Sequence, residues 1–264
     1  MADLVANGVR HHVQRLGSPS APQTVVFLHG LVMDNLSSFY FTLANPTAAH
    51  ADVVLYDLRG HGMSERPASG YRVADFVADL AAILDGLAIE RPVYLVGNSF
   101  GGLVALAFAA AHPARVAGLV LIDAHDGAGD WSAKMSATLA LRGEARDSMI
   151  AVSFQSWLGR HSERKRTRLA TAAQALVEGT TLVADLAAAT ELDDAALAPI
   201  RGPALAIYGE KSDVIDRGRR LAQAIPGCEL VVLPGCSHSV IWEATDEVRR
   251  LAVGWLAART PRID

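Results

Sequence analysis

The segment Gly97-Asn98-Ser99-Phe100-Gly101 holds the residue with the clearest chemical potential, a serine with a glycine two positions away on each side. A β-branched apolar run precedes this segment, and a long alanine-rich helical pattern follows it. Between a strand and a helix, this spacing predicts a nucleophile elbow, a strained turn where side chains at the glycine positions would collide with their neighbours. Such a turn would present the Ser99 hydroxyl at a helix N-terminus, where the Phe100 N–H can face a developing oxyanion.

The same segment must be compared with a phosphate-binding loop. Gly97 and Gly102 have the separation of the two glycines in G-x-x-x-x-G-K-[ST]. Leu103 and Val104 stand where that loop needs a lysine for the phosphates and a hydroxyl for magnesium. The phosphate-binding interpretation therefore fails.

A serine hydroxyl is a weak nucleophile, so Ser99 needs a base and a group that orients the base. His238 is the predicted base, because it follows the last apolar strand pattern in a loop that would overhang the carboxyl edge of a sheet. Asp213 follows the preceding strand pattern and is the predicted acid, accepting the Nδ1–H of His238. Asp123 and Asp126 follow another strand pattern and compete with Asp213 for this role.

An oxyanion hole requires a second N–H donor besides Phe100. The backbone N–H of Leu31 is the predicted donor, because His29-Gly30-Leu31 ends another strand pattern. We expect His29 to brace this loop through hydrogen bonds, and we expect the glycine-containing run 59–64 to have a structural role. The remaining histidines lack the spacing of metal ligands, so we expect neither a metal nor a cofactor.

The elements that must position these residues follow an alternating pattern. Several apolar runs do not alternate with polar residues, which favours parallel strands covered on both faces. Apolar residues at helical spacing occur in 73–87 and 248–256. The opening residues 4–16 could supply antiparallel edge strands. The sequence therefore predicts an α/β fold with a doubly wound, mostly parallel sheet. The predicted core strands are 24–28, 52–56, 92–96, 116–122, 204–208 and 229–233.

The alternation stops between residues 125 and 199, where helical patterns such as 131–142 and 168–177 occur without a convincing strand. A stretch of this length between two core strands is too long for a simple loop. We therefore expect 125–199 to form an inserted helical cap on a core made of 1–124 and 200–264. The residues expected to line a substrate pocket are Asn98, Trp131, Met135, Met149, Phe154, Trp157, Trp242 and the aromatic run 39–41. The basic run Arg160, Arg164, Lys165, Arg166 and Arg168 is expected to be a solvated helix face rather than an anion site.

The composition excludes several function classes. The chain has 264 residues, a hydrophobic fraction of 51% and a net charge of −4, so nothing points to disorder or to nucleic acid as a partner. The N-terminus does not resemble a signal peptide, and no apolar stretch reaches the length of a membrane span. Cys228 and Cys236 are expected to be reduced thiols. We therefore expect a cytoplasmic protein with a small-molecule partner and no membrane partner; its oligomeric state is open.

Taken together, these motifs resemble the α/β-hydrolase fold superfamily, in its compact, cap-bearing branch. The resemblance runs from about Thr24 to Ala258, and the order serine, aspartate, histidine is the order of that superfamily. Its motifs are His29-Gly30, the run Asp57 to Ser64, Gly97 to Gly102, and the Asp213/His238 pair. The resemblance implies a catalytic triad and an oxyanion hole. It is weakly specific for substrate, because this superfamily includes esterases, thioesterases, lactonases, lyases and C–C hydrolases.

Departures from particular branches narrow the activity. Haloalkane dehalogenases and epoxide hydrolases of this fold use an aspartate nucleophile, whereas Ser99 stands here, and hydroxynitrile lyases carry a lysine where this chain has Ser239. Asn98 and the pair Trp242-Glu243 look like the meta-cleavage-product C–C hydrolases, but the oxyanion loop lacks their Gly/Pro-rich pattern. The resemblance thus implies a serine esterase or thioesterase acting on a small to medium apolar acyl substrate. A C–C hydrolase, or a non-hydrolytic binding module on the same fold, is the alternative.

Overall fold

The computed structural model describes residues 2–127, 129–141 and 163–260. Eight strands within these ranges form one sheet in the order β1-β2-β4-β3-β5-β6-β7-β8. All neighbours from β4 to β8 in this order run parallel, which confirms the predicted α/β class. The strands are β1 (Ala2–Ala6), β2 (Val9–Leu16), β3 (Thr24–Leu28), β4 (Asp52–Tyr56), β5 (Val93–Asn98), β6 (Val116–Ile122), β7 (Ala204–Gly209) and β8 (Cys228–Leu233).

The predicted strands agree closely with the observed ones, and β5 shows the most informative difference. Its pattern predicted an end at Val96, but the strand continues through Gly97 and Asn98. The reason is that the ladder to β6 continues: Gly97 pairs with Leu121, and Asn98 pairs with Ile122. The turn therefore begins at Ser99 itself, directly at the carboxyl edge of the sheet.

Helices cover both faces of the sheet, because successive strand residues point to opposite sides. Val26 of β3 packs in one core with the helices Val73–Gly86, Phe100–Ala111 and Ile215–Ala224, whereas the adjacent Val25 packs on the other side with the helix Thr245–Ala257. Three short helical segments, Ser37–Phe39, Tyr40–Ala44 and Asn45–Thr47, share this second face. This two-sided burial explains the uninterrupted apolar runs of β3, β4 and β7, which are buried along their whole length.

The opening strands pair as the pattern of residues 4–16 suggested. β1 runs antiparallel to β2, and β2 runs antiparallel to β4. β1 forms the edge of the sheet and leaves Val5 72% exposed. The segment that follows β5 and contains Ser99 therefore lies near the middle of the sheet, away from this antiparallel edge.

Between β6 and β7 the described residues form helices joined by turns and loops. Their helices are Gly129–Ala140, Glu163–Gly179, Leu182–Ala187 and Asp194–Leu197. The two patterns predicted at 131–142 and 168–177 thus begin earlier than expected, and the division into core and cap stays a prediction. Arg142, Met149, Phe154, Trp157 and Arg160 lie outside the described residues. In the part of the chain that the structure covers, every helix is too short or too polar to cross a bilayer.

Candidate active site

Ser99 lies between β5 and the helix Phe100–Ala111, where its flanking patterns predicted a turn. Its backbone has φ 52° and ψ −116°, a conformation that L-residues rarely adopt. Two hydrogen bonds hold the turn. The Ser99 N–H donates to the Ile122 carbonyl of β6 at 2.9 Å, and the Gly102 N–H donates to the Ser99 carbonyl at 2.9 Å. The strain at Ser99 is thus maintained by the neighbouring strand and by the helix it begins.

The flanking glycines permit this turn for the steric reason that their spacing predicted. A Cβ on Gly97 would lie 2.5 Å from the Gly101 carbonyl oxygen, and a Cβ on Gly101 would lie 2.0 Å from the Leu28 carbonyl oxygen of β3. Real Cβ atoms do not approach backbone this closely. Only glycine at both positions therefore lets the helix begin against β3 and β5.

His238 lies in the loop that follows β8. Its Nε2 is 2.9 Å from the Ser99 Oγ, although the two residues are 139 positions apart. The His238 side chain is 36% exposed. The structure thus brings the predicted nucleophile and the predicted base within hydrogen-bond distance.

The predicted acid, Asp213, is not the side chain nearest to Nδ1 of His238. Asp213 Oδ1 lies 3.9 Å from His238 Nδ1, within ion-pair range but beyond hydrogen-bond length, and its side chain is 53% exposed. Ser212 comes closer, with its Oγ 3.5 Å from the same nitrogen. Asp126, the third candidate, is buried and forms an ion pair with Arg220 at 2.5 Å. The arrangement of Asp126 is therefore structural, whereas Asp213 and Ser212 both face the imidazole.

Asp123 follows β6 and is completely buried. Its φ of 42° is unusual for a non-glycine residue, and its Oδ2 accepts a hydrogen bond from the Gly209 N–H at 3.4 Å. Burial raises the pKa of Asp123 to about 8, against the lowering effect of hydrogen bonds from the Ser212 side chain and the Gly209 amide. Within the described ranges its Oδ1 has no hydrogen-bond partner. Carboxyl groups with a strongly raised pKa are common at functional sites.

The predicted oxyanion loop after β3 is held from several sides. The Gly30 N–H donates to Asp34 Oδ2 at 2.8 Å, and the Leu36 N–H donates to Asp57 Oδ1 at 2.8 Å. Val32 has φ 67°, and the Met33 N–H donates back to the Leu31 carbonyl at 2.9 Å, so residues 31–33 form a γ-turn. A β-branched residue at positive φ is a rare and strained feature.

Two buried histidines fix this loop. His29 Nε2 accepts the Leu58 N–H at 3.0 Å, which agrees with the bracing role expected for His29. His61 Nε2 accepts the Val32 N–H at 2.8 Å, so the proton of its neutral ring lies on Nδ1, which donates to the Arg59 carbonyl at 2.8 Å. Burial and the proximity of His29 lower the pKa of His61 to about 3. His61 therefore stays neutral and keeps its acceptor for Val32 at ordinary pH.

The Leu31 and Phe100 amides were the two predicted oxyanion donors. Leu31 is 9% exposed and follows β3, while Phe100 is fully buried at the first position of its helix. Neither N–H donates to another of the described residues. Both are thus available to an incoming acceptor.

The predicted pocket residues divide into described and undescribed ones. Asn98 is partly exposed at the end of β5, and its Oδ1 has no hydrogen-bond partner among the residues of the described ranges. Trp242 packs with Met33, Val32, Leu169 and Ala173, which joins the oxyanion loop to the helix Glu163–Gly179. The Trp131 side chain, Phe154 and Trp157 are outside what the structure describes. Over those described ranges, no group of three or more His, Cys, Asp or Glu residues could hold a metal ion.

Comparison with known proteins decides the family. A family model described as the alpha/beta hydrolase fold matches residues 23–245. The chain belongs to the α/β-hydrolase fold family. Its similarity to proteins named as hydrolases agrees with an enzyme rather than with the alternative of a non-hydrolytic binding module.

Three similar proteins illustrate the range of activities. The “Putative carbamate hydrolase RutD” of Variovorax paradoxus is 34% identical over 203 residues, covering 71% of this chain and 75% of that protein. A 2-hydroxy-6-oxononadienedioate/2-hydroxy-6-oxononatrienedioate hydrolase of Paraburkholderia phymatum is 28% identical over 271 residues, covering 96% and 94%. The enol-lactonase of Burkholderia xenovorans LB400 has a similar structure, with a TM-score of 0.76, 26% identity and 97% and 99% of the two chains covered. All three are named for hydrolytic reactions, but their names give different substrates.

Proposed function

We propose that this hydrolase cleaves a carboxylic ester or thioester of a small to medium apolar acyl substrate, with Ser99 as nucleophile, His238 as base and Asp213 as acid. The observation that carries the proposal is the 2.9 Å contact between Ser99 Oγ and His238 Nε2 on a strained strand-to-helix turn. No metal or cofactor is required for this chemistry.

In the proposed mechanism His238 Nε2 accepts the hydroxyl proton while Ser99 Oγ attacks the substrate carbonyl carbon. The Phe100 and Leu31 amides donate hydrogen bonds to the resulting oxyanion. The imidazolium then gives its proton to the leaving group as the carbonyl re-forms, which leaves an acyl group on Ser99. Water, deprotonated by His238, releases the acid and restores the hydroxyl. The carboxylate of Asp213 faces Nδ1 and stabilises the positive charge during both steps.

A C–C hydrolase of the meta-cleavage-product type is the second candidate. Two observations favour it. One is the similarity to a 2-hydroxy-6-oxononadienedioate hydrolase over nearly the whole chain. The other is Asn98 beside Ser99, whose Oδ1 has no hydrogen-bond partner among the described residues. An enzyme of this kind would act on a vinylogous 1,5-diketone and hydrolyse simple esters poorly. Measuring both substrate classes with the same preparation separates the two candidates.

The direct test uses p-nitrophenyl acetate and butyrate under pre-steady-state conditions. An acyl-enzyme should give a burst of p-nitrophenol close to one equivalent per enzyme, and Ser99→Ala should abolish it. The matched control is Ser18→Ala, because Ser18 is an exposed serine that follows β2 at the edge of the sheet opposite Ser99. An undiminished burst in Ser99→Ala would refute the assignment of the nucleophile. Rapid turnover of the dienoate with negligible ester hydrolysis would replace the esterase proposal with the C–C candidate.

A further inference from the structure

Two polar side chains face Nδ1 of His238. One is Asp213, which is 53% exposed and lies 3.9 Å from this nitrogen. The other is Ser212, whose Oγ is nearer, at 3.5 Å. Ser212 is itself buried, with 4% of its surface exposed. A hydroxyl in this position can accept a hydrogen bond from the imidazole and donate its own hydrogen to a further acceptor.

That further acceptor is Asp123. The Ser212 side chain lies close enough to its carboxyl group to lower the pKa of Asp123, and the Gly209 N–H donates to Oδ2 at 3.4 Å. The Val214 N–H donates to Ser212 Oγ at 3.3 Å, which helps to hold this oxygen in place. Asp123 has no surface exposed, and its Oδ1 has no partner in the described parts of the chain. Packing alone gives no reason to keep a carboxyl here, because an isolated buried carboxyl is destabilising.

We propose that Ser212 and Asp123 form a buried second acid branch of His238, in which Nδ1–H donates to Ser212 Oγ and the Ser212 hydroxyl donates to Asp123. The inference rests on the proposed function of Ser99 and His238 and assigns both residues as positioning residues. Neither touches the substrate. Asp213 supplies a partly solvated charge, and the Ser212–Asp123 branch supplies a charge shielded from water.

The two branches differ in how strongly they act. Water and salt screen the charge of a half-exposed carboxylate such as Asp213. A charge in the buried surroundings of Asp123 is screened much less, so its effect on an imidazolium is larger at equal distance. The buried branch is therefore expected to contribute when His238 carries the proton taken from Ser99.

The state of the branch depends on pH. Among the described ionisable groups near Asp123 are the acids Asp213, Glu243, Tyr208 and Cys236, and His238 lies beyond Ser212. Burial, together with the charges of Asp213 and Glu243, raises the pKa of Asp123 to about 8. Below this pH the branch ends in a neutral carboxyl; above it, the branch ends in a carboxylate that accepts from Ser212. The contribution to turnover should therefore increase between pH 7 and pH 9.

The experiment measures kcat and KM for p-nitrophenyl acetate from pH 6 to pH 9 in Ser212→Ala, Asp123→Asn and the double variant. At pH 9 each single variant should lose about 10- to 100-fold in kcat, the effect of removing one hydrogen bond to a charged group, with KM changed less than about twofold. At pH 6 Asp123→Asn should approach the wild-type rate. The double variant should be no slower than the slower single variant, because the two groups act in series.

Asp126→Asn is the matched control, since Asp126 lies in the same loop and is equally buried but pairs with Arg220. It should lose stability without a pH-dependent loss of kcat. A constant ratio of wild-type to Asp123→Asn rates across the pH range, with Ser99→Ala inactive, would overturn this inference and leave the proposed function intact. Independent, multiplicative losses in the double variant would also overturn it. Full activity of Ser99→Ala would refute the proposed function and this inference together.

Discussion

Replacing Asp123 by asparagine should make the protein more stable, and the gain should grow with pH. Asp123 is completely buried, and burial raises its pKa from 3.8 to about 8. Between these two values the folded protein keeps the carboxyl proton while the unfolded chain has lost it. The unfolded state then binds fewer protons, so the free energy of unfolding decreases as the pH rises.

The size of the stability change follows from the pH range between the two pKa values of Asp123. Asp123 alone should lower the free energy of unfolding by about 1.4 kcal/mol for each pH unit between pH 5 and pH 8, or about 4 kcal/mol in total. Above pH 8 the carboxyl ionises in both states and the loss levels off. Asparagine cannot ionise, so Asp123→Asn lacks this loss. A difference of this size is a large part of the stability of an ordinary domain, about 5–15 kcal/mol.

Urea unfolding at pH 5, 6.5 and 8 measures the effect directly. Other titrating groups, such as the histidines, are common to both proteins and largely cancel in the difference. Asp123→Ala provides a second variant, because it should lose the same pH dependence despite the added cost of a cavity. A stability difference between wild type and Asp123→Asn that stays constant from pH 5 to pH 8 would refute the reasoning.

Two further substitutions test the strained backbone of the site. Val32→Gly should raise the free energy of unfolding by about 1 kcal/mol or leave it unchanged, because glycine accepts φ 67° without strain. The same substitution should lower kcat, because it loosens the loop that His61 holds. Urea unfolding measures the first effect and ester assays measure the second. A clear loss of stability would contradict this. Gly101→Ala should prevent the native fold or abolish activity, because its Cβ would lie 2.0 Å from the Leu28 oxygen. Gly254→Ala is the control: its Cβ would have open space, so its circular dichroism spectrum and activity should match those of the wild type. Equal behaviour of the two variants would contradict the steric argument.

Much of the fold could be predicted because its signals are local. Strands β3, β4 and β6 have the bounds that their apolar runs predicted, since strands covered on both faces select uninterrupted hydrophobic residues. The elbow was predictable for a similar reason, because its glycine spacing lies within one short strand–turn–helix unit, although Gly101 relieves a contact with Leu28 of β3. The contact of Ser99 with His238 followed from their places after two strands of one sheet.

The features that escaped prediction depend on contacts between distant segments. Ser212 gave no signal beyond its place before Asp213, and its distance to His238 follows from how two loops fold over the sheet. The γ-turn at Val32 is held by His61, 29 residues away, and valine is a residue type that argues against positive φ. Sequence patterns report periodicity and turn chemistry, but they do not report how far apart two loops come to rest.

The sheet holds Ser99, whereas the helices between β6 and β7 are expected to determine which substrates are accepted. The turn at Ser99 is hydrogen-bonded to β6 and packs against β3 at Gly101, so the proposed nucleophile is held by the sheet. The helices between β6 and β7 connect to this sheet by loops, and one of them, Glu163–Gly179, contacts the oxyanion loop through a small apolar cluster. Replacing these helices by those of a relative should therefore alter which acyl groups are accepted while the serine keeps its reactivity. A scaffold of this kind is suited to acquiring new substrates by recombination of its helical segments.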